Sequence, residues 1–303
     1  MRVTDPEMLR FIAETEAAYP AEANSASAQE NRRHYDAMCA VFRSPRPEGI
    51  IVTDETLAGV PIRRYRPRGA AGPFLLYLHG GGYVVGSLDS HDDVCAEIAQ
   101  ATGAELVAVD YRLAPEHLYP AQLDDVETVW RAESARRPGL VLGDSAGGAL
   151  SAALCLRMRR KGGPMPLAQC LIYPGLGGDM SAPSYAENAE APLLRTADIA
   201  HYAGVLAGGD TSLRETDPEL SPLRAAGFEG LPPALVVTAD VDPLRDDGPA
   251  YVDRLAAAGI EASWRNEPQL VHGYLRARHR STRAGQSFEA ICSWLRGRLR
   301  LIG

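Results

Sequence analysis

Several features typical of other protein classes are scarce or missing in this sequence. The five cysteines are scattered and form no C-x-x-C pair, which argues against a zinc ribbon or a disulfide framework. Lys161 is the only lysine, and the formal net charge of -8 argues against a nucleic-acid partner. No uncharged apolar run reaches about 18 residues, and the charged N-terminus lacks the apolar core of a signal peptide. We therefore expect a soluble cytoplasmic protein with no membrane span and with reduced, mostly buried thiols.

What is present is an alternation of strands and helices. Short apolar runs predict buried strands over residues 74–78 and 140–143, and a long helix is predicted over residues 146–161. Further strands are predicted over residues 50–53, 60–66, 105–111, 169–173, 234–238 and 260–265. Strands that alternate with helices form a mainly parallel sheet covered on both faces, so the predicted fold class is α/β.

Two regions depart from this alternation. The N-terminal 48 residues contain two helical patterns, the second over residues 28–42. Residues 176–230 contain no clear strand and are too many for a plain loop in a compact domain. We expect residues 1–48 and the insertion 176–230 to form a helical cap, and residues 49–175 together with 231–303 to form the main α/β domain.

The segment Gly143-Asp144-Ser145-Ala146-Gly147 fits G-x-S-x-G and lies between a predicted strand and a predicted helix. In a strand-to-helix turn this pattern exposes the serine as a nucleophile, and the glycines let neighbouring backbone pass closely. The alternative is a glycine-rich helix entry in which Ser145 is only an N-cap. The context of a strand before the motif and a helix after it favours the nucleophile.

Three consecutive glycines follow the strand that ends at Leu78, in the segment His79-Gly80-Gly81-Gly82-Tyr83. Backbone N–H groups in such a loop can converge on one oxygen, as acyl transfer requires when negative charge gathers on a carbonyl oxygen. A flexible turn or a phosphate cradle is the alternative, but a cradle normally includes a G-K-[ST] lysine, which is missing here.

Downstream, an aspartate-rich segment and then His272 follow the last two predicted strands. The resulting order Ser, Asp, His is the order that α/β-hydrolases use, and a carboxylate can fix the tautomer of the histidine. Of the seven histidines, His272 is the one that comes directly after the last predicted strand and before the closing helix, with His279 further along the same segment. Spacing alone leaves four carboxylates open as its partner: Asp240, Asp242, Asp246 and Asp247.

Four motifs together resemble the bacterial hormone-sensitive-lipase-like esterases, a family with the α/β-hydrolase fold. They are His79–Tyr83, Asp110–His117, Gly143–Gly148 and Asp242–Asp246, in family order over roughly residues 45–303. The resemblance implies that Ser145, Asp242 and His272 form a catalytic triad. It also implies an oxyanion hole made by Gly81, Gly82 and the backbone of Ala146, and a cap built from the N-terminus and an insertion. The sequence departs from the family pattern at Tyr274, where phenylalanine is commoner, and at Leu118-Tyr119, which replaces the usual Pro-Phe.

Other polar and aromatic residues receive less specific expectations. We expect Asp144 to have a structural, hydrogen-bonding role, and Arg112, Glu116 and His117 to form a structural network beneath the active centre. Four tyrosines are candidates for the substrate pocket, with an ordinary core position as the alternative for each: Tyr19, Tyr83, Tyr185 and Tyr202.

The resemblance implies a carboxylic-ester hydrolase that acts on short- to medium-chain acyl esters through an acyl-enzyme, without a metal or organic cofactor. One alternative is a deacetylase or amidase dedicated to one metabolite, which would use the same triad. The other is a non-catalytic small-molecule receptor on the same fold, against which the retention of His272 argues. The expected partner is a small-molecule ester, and a homodimer is left open.

Overall fold

The computed structural model describes residues 2–20, 23, 26–210 and 212–302. An eight-stranded sheet with the order β1-β2-β4-β3-β5-β6-β7-β8 forms its centre. β2 is antiparallel to both of its neighbours, and the strands from β4 to β8 are parallel. The strands are β1 (Ile50–Leu57), β2 (Val60–Pro67), β3 (Phe74–Leu78), β4 (Leu106–Val109), β5 (Gly139–Asp144), β6 (Gln169–Ile172), β7 (Ala234–Val241) and β8 (Ala262–Val271).

Helices cover both faces of the sheet, as predicted. Those of the main domain are α3 (Asp92–Thr102), α4 (Ala121–Ser134), α5 (Ala146–Lys161), α9 (Asp247–Ala257) and α10 (Thr282–Ile302). Successive strand residues point to opposite faces. Leu75 and Tyr77 of β3 therefore join the core beneath α3 and α10, and Leu76 and Leu78 join the core beneath α4, α5 and α9. The predicted α/β-hydrolase architecture is confirmed.

Two helices precede the sheet, α1 (Pro6–Ala18) and α2 (Ala28–Phe42). The Asp5 carboxylate accepts the backbone N–H groups of Glu7 and Met8, and Pro6 occupies the first turn, where a missing N–H has no cost. Ser27 and Glu30 form a capping box at the start of α2. α1 packs against α2 and β8, and α2 packs against the turn that follows His272. The N-terminal helices therefore contact the part of the main domain that carries the histidine.

The insertion is helical, with α6 (Pro183–Glu187), α7 (Thr196–Leu206) and α8 (Leu213–Thr216). The Leu206 carbonyl accepts the N–H of Tyr119 at 3.0 Å, and Asp217 accepts the Tyr119 hydroxyl at 3.0 Å. Both segments proposed for the cap are thus joined to the main domain by specific contacts. Residues 1, 21, 22, 24, 25 and 211 of these segments lie outside the described residues.

The last strand differs from its prediction. Residues 260–265 were expected to be extended, whereas β8 spans Ala262–Val271. Half of its ten residues, ASWRNEPQLV, are polar, and it contains Pro268, which is tolerated because β8 is an edge strand with no partner on one side. Its pairing with β7 shifts register between Ala239 and Val241, at an irregularity near Gln269, whose φ is 66°.

All five cysteines are buried and free, which confirms the expectation from their spacing: Cys39, Cys95, Cys155, Cys170 and Cys292. Burial raises the pKa of each thiol above its ordinary value. Within the described part of the chain, no helix combines the length and apolarity needed to cross a bilayer.

Candidate active site

Ser145 lies at the turn between β5 and α5, at the carboxyl edge of the parallel strands. Its φ of 54° and ψ of -118° are strained for a residue with a side chain, and its N–H is held by the Ile172 carbonyl at 2.8 Å. A Cβ on Gly147 would lie 1.9 Å from the Leu78 carbonyl oxygen, and one on Gly143 would lie 2.4 Å from the Gly147 carbonyl oxygen. The two glycines therefore let α5 approach β3 closely enough to hold the serine at this turn.

His272 follows β8 and lies between Ser145 and Asp242. Its Nε2 is 2.8 Å from the Ser145 Oγ, and its Nδ1 is 2.7 Å from the Asp242 Oδ2. Asp242 is fully buried, and its other oxygen accepts the N–H of Leu244 at 2.9 Å. Asn188 donates to the Asp242 backbone carbonyl at 3.1 Å. The three side chains named from the sequence thus form one continuous hydrogen-bonded chain.

The other three candidate aspartates have different partners. Asp240 accepts the side-chain amide of Asn266 at 3.0 Å. Asp246 accepts the backbone N–H of Ser184 at 2.8 Å and forms an ion pair with its neighbour Arg245. Asp247 accepts the N–H of Leu176 and the hydroxyl of Tyr185. Geometry therefore selects Asp242 from the four carboxylates that spacing left open.

Asp144 connects the serine turn to the glycine loop. Its Oδ1 accepts the hydroxyl of Tyr77 at 2.8 Å and the N–H of Gly80 at 3.0 Å, and it lies 3.4 Å from the His91 Nε2. Burial alone would raise the pKa of Asp144, but the neighbouring His91 and these hydrogen bonds outweigh it and hold the pKa well below its ordinary value. The carboxylate is therefore charged and structural, in agreement with its expected role.

Gly81 and Gly82 line a cavity together with Ser145 and His272. Their φ values of 124° and 59° are rarely adopted by other residues, and a Cβ on Gly81 would lie 2.1 Å from the Val85 carbonyl oxygen. Within the described ranges, no acceptor takes the N–H groups of Gly81, Gly82 or Ala146. Three backbone donors beside Ser145 thus remain available to a ligand.

Two cavities meet at Ser145. The first, which we call the apolar cavity, has a volume of about 100 Å³. Its walls are mainly hydrophobic and include Tyr83, Ala146, Leu194, Tyr202, Leu206 and Leu244. The second, which we call the histidine-side cavity, has a volume of about 90 Å³. Its walls include Tyr35, Gly81, Gly82, Tyr202, His272 and Arg276. Tyr83 and Tyr202, two of the four expected pocket tyrosines, are therefore at the cavity walls, whereas Tyr19 lines neither of these two cavities.

Tyr185 is a correction to the sequence prediction, because it lines neither cavity. Its side chain is buried, its hydroxyl donates to Asp247 at 3.0 Å, and it packs with Leu194 and Leu244. Those two leucines form part of the apolar cavity wall. The tyrosine therefore supports the wall from behind, in the core position that was its alternative.

Arg112, Glu116 and His117 do not contact one another as the expected network would require, and the first two form separate ion pairs. Arg112 makes a bidentate contact with Asp125, at 2.8 Å and 2.9 Å. Glu116 binds Arg32 of α2, which also donates to the Val84 and Ala114 carbonyls. The His117 side chain makes no hydrogen bond within the described ranges, although its carbonyl accepts the Gln122 amide at 2.6 Å.

Sequence reasoning missed several residues at the site. Leu194, Leu206 and Leu244 are apolar residues like many others in the chain, and only the position of Leu244 two residues after Asp242 offered a signal. Arg276 lies four residues after His272, but it is one of many arginines in this segment and no motif distinguishes it.

Comparisons with known proteins agree with this geometry. A sequence profile described as "alpha/beta hydrolase fold" matches residues 75–276. Esterase LipI of Mycobacterium tuberculosis is 45% identical over 217 residues, which are 69% of this chain and 68% of LipI. The crystal structure of an esterase from the bacterial hormone-sensitive lipase family has a TM-score of 0.88 and 30% identity, covering 98% of this chain and 100% of that chain. This chain belongs to that esterase family.

A second relative gives the reaction class. Carboxylesterase NlhH of Mycobacterium tuberculosis is 43% identical to this family member over 230 residues, which are 72% of each chain. The family resemblance inferred from the four motifs is confirmed. The enzyme is a carboxylesterase, which hydrolyses carboxylic esters.

Proposed function

We propose that the enzyme hydrolyses short- to medium-chain acyl esters with Ser145, His272 and Asp242 as its catalytic triad. The observation that carries the proposal is the hydrogen-bonded chain from Asp242 through His272 to the Ser145 Oγ, at 2.7 and 2.8 Å. A carboxylate on Nδ1 leaves Nε2 unprotonated, so Nε2 can accept the serine proton.

The reaction has two symmetric halves. In the first, the Ser145 Oγ attacks the ester carbonyl while His272 takes its proton, and the tetrahedral intermediate collapses when His272 protonates the leaving alcohol. In the second, His272 deprotonates a water molecule that attacks the acyl-enzyme, and the returning proton releases Ser145 and the carboxylic acid. Asp242 orients the ring and stabilises the imidazolium in both halves.

The oxyanion is stabilised by the N–H groups of Gly81, Gly82 and Ala146 in this proposal. These three donors lack an acceptor within the described residues, and all three residues line a cavity that Ser145 also lines. Ala146 begins α5, so its N–H belongs to the positive end of the helix dipole. One such donor is worth about 3 kcal/mol in the transition state.

The two cavities separate the two parts of the ester. His272 must reach the leaving oxygen, and it lines only the histidine-side cavity, so the alcohol part lies there and the acyl chain lies in the apolar cavity. An apolar protein cavity of about 150 Å³ holds a benzene molecule. An apolar cavity of about 100 Å³ therefore suits a short acyl chain, with longer chains extending out of it.

The segments 1–48 and 176–230 serve as the cap over this site. Tyr202 of α7 stands so close to the glycine loop that a Cβ on Gly82 would lie 2.5 Å from its ring. On the other side, Tyr35 of α2 lines the histidine-side cavity. Both segments therefore contribute walls to the cavities that meet at Ser145, and the catalytic domain comprises residues 49–175 and 231–303.

The test is a comparison of p-nitrophenyl acetate, butyrate, octanoate and palmitate as substrates of the wild type and of Ser145→Ala. We expect the highest kcat/KM on acetate or butyrate, a decline through octanoate, and the lowest value on palmitate. Ser145→Ala should lower kcat by about 10⁶-fold on every ester. Ser134→Ala, at the far end of α4, is the matched control and should behave as wild type.

Two results would contradict the proposal. Folded Ser145→Ala that retains turnover would remove the serine from the mechanism. A maximum of kcat/KM on palmitate would contradict the proposal that the apolar cavity binds short acyl chains, but it would not contradict the proposed triad.

A further inference from the structure

Arg276 is a cation at the wall of the histidine-side cavity. It belongs to the turn Tyr274–Ala277 that follows His272 and Gly273, and it shares this cavity with Ser145 and His272. A Cβ on Gly273, whose φ is 76°, would lie 2.6 Å from an Arg276 Nη atom. The glycine after the histidine therefore makes room for the guanidinium beside the reacting groups.

The hydrogen-bonding capacity of this guanidinium is largely unused. Its Nε is buried without a hydrogen-bond partner, and one Nη donates to the Tyr35 hydroxyl at 3.2 Å. Through the described ranges 2–20, 23, 26–210 and 212–302, no carboxylate lies within 4.0 Å of it. Arg276 as a whole is half-buried, so its charge is only partly solvated. A partly desolvated cation without a carboxylate partner in a substrate cavity is suited to a ligand that pairs with it.

The surrounding acidic groups do not fill this role. Asp144 is the carboxylate that shares the cavity, and its oxygens are already engaged by Tyr77, Gly80 and Tyr173. Arg276 also lines an adjoining cavity of about 590 Å³ between the N-terminal helices and the insertion. The acids there are Glu16 and Glu190, which are exposed and screened by solvent, and Asp198, which is half-buried and already forms an ion pair with Arg195.

We propose that Arg276 selects esters whose leaving alcohol carries a carboxylate or another anionic group. This inference rests on the proposed function, which places the leaving alcohol in the histidine-side cavity. The planar guanidinium offers two parallel N–H donors to a carboxylate, a geometry that lysine cannot reproduce. The acyl chain lies in the apolar cavity, whose walls are mainly hydrophobic. The enzyme would therefore select the charge of the leaving alcohol in one cavity and the length of the acyl chain in the other.

The experiment compares the aryl acetates 4-acetoxybenzoate and 3-acetoxybenzoate with the neutral 4- and 3-acetoxybenzamides, which have nearly the same size. In the 3-substituted pair and in the 4-substituted pair, the carboxylate and the amide group lie at the same distance from the ester. The enzymes are wild type, Arg276→Met, Arg276→Lys and Arg214→Met. Arg214 is a matched control, because it lines the apolar cavity instead of the histidine-side cavity.

We expect Arg276→Met to lower kcat/KM by about 10- to 100-fold on at least one acetoxybenzoate, which is the range for a hydrogen bond to a charged group. The loss on the matching acetoxybenzamide should be much smaller, so the ratio of acid to amide hydrolysis should fall. Arg276→Lys should recover part of the loss, since it keeps the charge but not the paired donors. Arg214→Met should change the rates for acid and amide by equal factors.

An equal loss on the acids and the amides, with a lower melting temperature, would overturn the proposal. Arg276 would then serve only to hold α2 through its contact with the Tyr35 ring, 5.6 Å from the guanidinium carbon to the ring centroid. An unchanged ratio of acid to amide in every Arg276 variant would overturn it too. If the wild type hydrolyses neither the acetoxybenzamides nor p-nitrophenyl acetate, the proposed esterase function itself is wrong. This result differs from active wild type with an unchanged ratio of acid to amide, which contradicts only the role of Arg276.

Discussion

At the scale of single residues, the site depends on which carboxylate contacts the histidine. Asp240 and Asp242 are two positions apart on β7 and the segment after it, yet only Asp242 lies 2.7 Å from the His272 Nδ1. Asp240 binds Asn266 and the backbone near Gln269 instead. Asp242 and Asp240 therefore allow a comparison of two identical side chains, of which only Asp242 is hydrogen-bonded to His272.

We predict that Asp242→Asn lowers kcat on p-nitrophenyl acetate by about 10⁴-fold, because the amide favours the wrong histidine tautomer and cannot stabilise the imidazolium. Asp240→Asn should leave kcat near the wild-type value, since its side chain supports only the edge of the sheet. Steady-state kinetics at neutral pH, with circular dichroism to confirm folding, measures both. A large loss in Asp240→Asn alone would show that the wrong carboxylate has been assigned.

The residues that could be predicted are those whose chemistry requires a fixed local pattern. Ser145 needs flanking glycines so that α5 can approach β3, and this steric need is visible in the sequence as G-x-S-x-G. Arg276 has no comparable signature, because its environment is created by Tyr35, more than two hundred positions earlier in the chain. Tyr185 shows the same limit, since its contact with Asp247 depends on how the insertion folds back onto α9.

At the scale of elements, short buried segments were more predictable than edge elements. The bounds of β3 and α5 agree with their predictions, because both are defined by apolar residues between clear breakers. The bounds of α2 agree because Ser27 caps its start and prolines follow its end. β8 was predicted too short, because an edge strand needs no continuous apolar pattern and tolerates Pro268. Its full length follows from pairing with β7, which is a tertiary contact and not a local property.

The packing of α5 on β3 gives the prediction at this scale. Gly147→Ala would place a Cβ 1.9 Å from the Leu78 carbonyl oxygen, a backbone atom that cannot rotate away. We expect a destabilisation of at least about 3 kcal/mol, or loss of soluble protein, because helix and strand must separate. Gly297→Ala in α10 meets nothing within 4 Å and should raise the free energy of unfolding by about 0.5–1 kcal/mol.

Urea unfolding followed by circular dichroism compares the two alanine variants under the same conditions. Gly147 lies in the first turn of α5 and Gly297 in the interior of α10, and the main difference between the two substitutions is the space around the new methyl group. A Gly147→Ala protein that unfolds at the wild-type urea concentration would mean that α5 and β3 are not packed as closely as the structure has them.

At the scale of the whole molecule, the insertion is connected to the main domain through a buried acid. Asp247, at the start of α9, accepts the N–H groups of Leu176 and Gly178 and the hydroxyl of Tyr185. Burial raises the pKa of Asp247 from 3.8 to about 6, although these hydrogen bonds oppose the rise. Its protonation is therefore coupled to folding of the whole chain in a pH range that is easy to reach.

The sign of this coupling follows from the raised pKa. Between about pH 4 and pH 6 the folded state holds a proton on Asp247 that the unfolded state has released, so stability falls as the pH rises. The stabilisation that protonated Asp247 adds to the folded state is fully present below about pH 4 and is lost as the pH rises through about 6. It amounts to roughly 3 kcal/mol of the free energy of unfolding. Other carboxylates have lowered pKa values and act in the opposite direction, so only a difference between variants isolates Asp247.

We predict that the free energy of unfolding of the wild type, relative to Asp247→Asn, decreases from pH 4 to pH 7. The lost hydrogen-bond acceptor in Asp247→Asn adds a constant offset, so the slope with pH is the quantity that tests the pKa. Asp253→Asn, on the exposed side of the same helix, is the control and should run parallel to the wild type. Urea titrations at half-unit pH intervals measure the three curves. A difference between wild type and Asp247→Asn that stays constant with pH would show that Asp247 is ionised in the folded protein throughout, with the insertion held by a charged carboxylate.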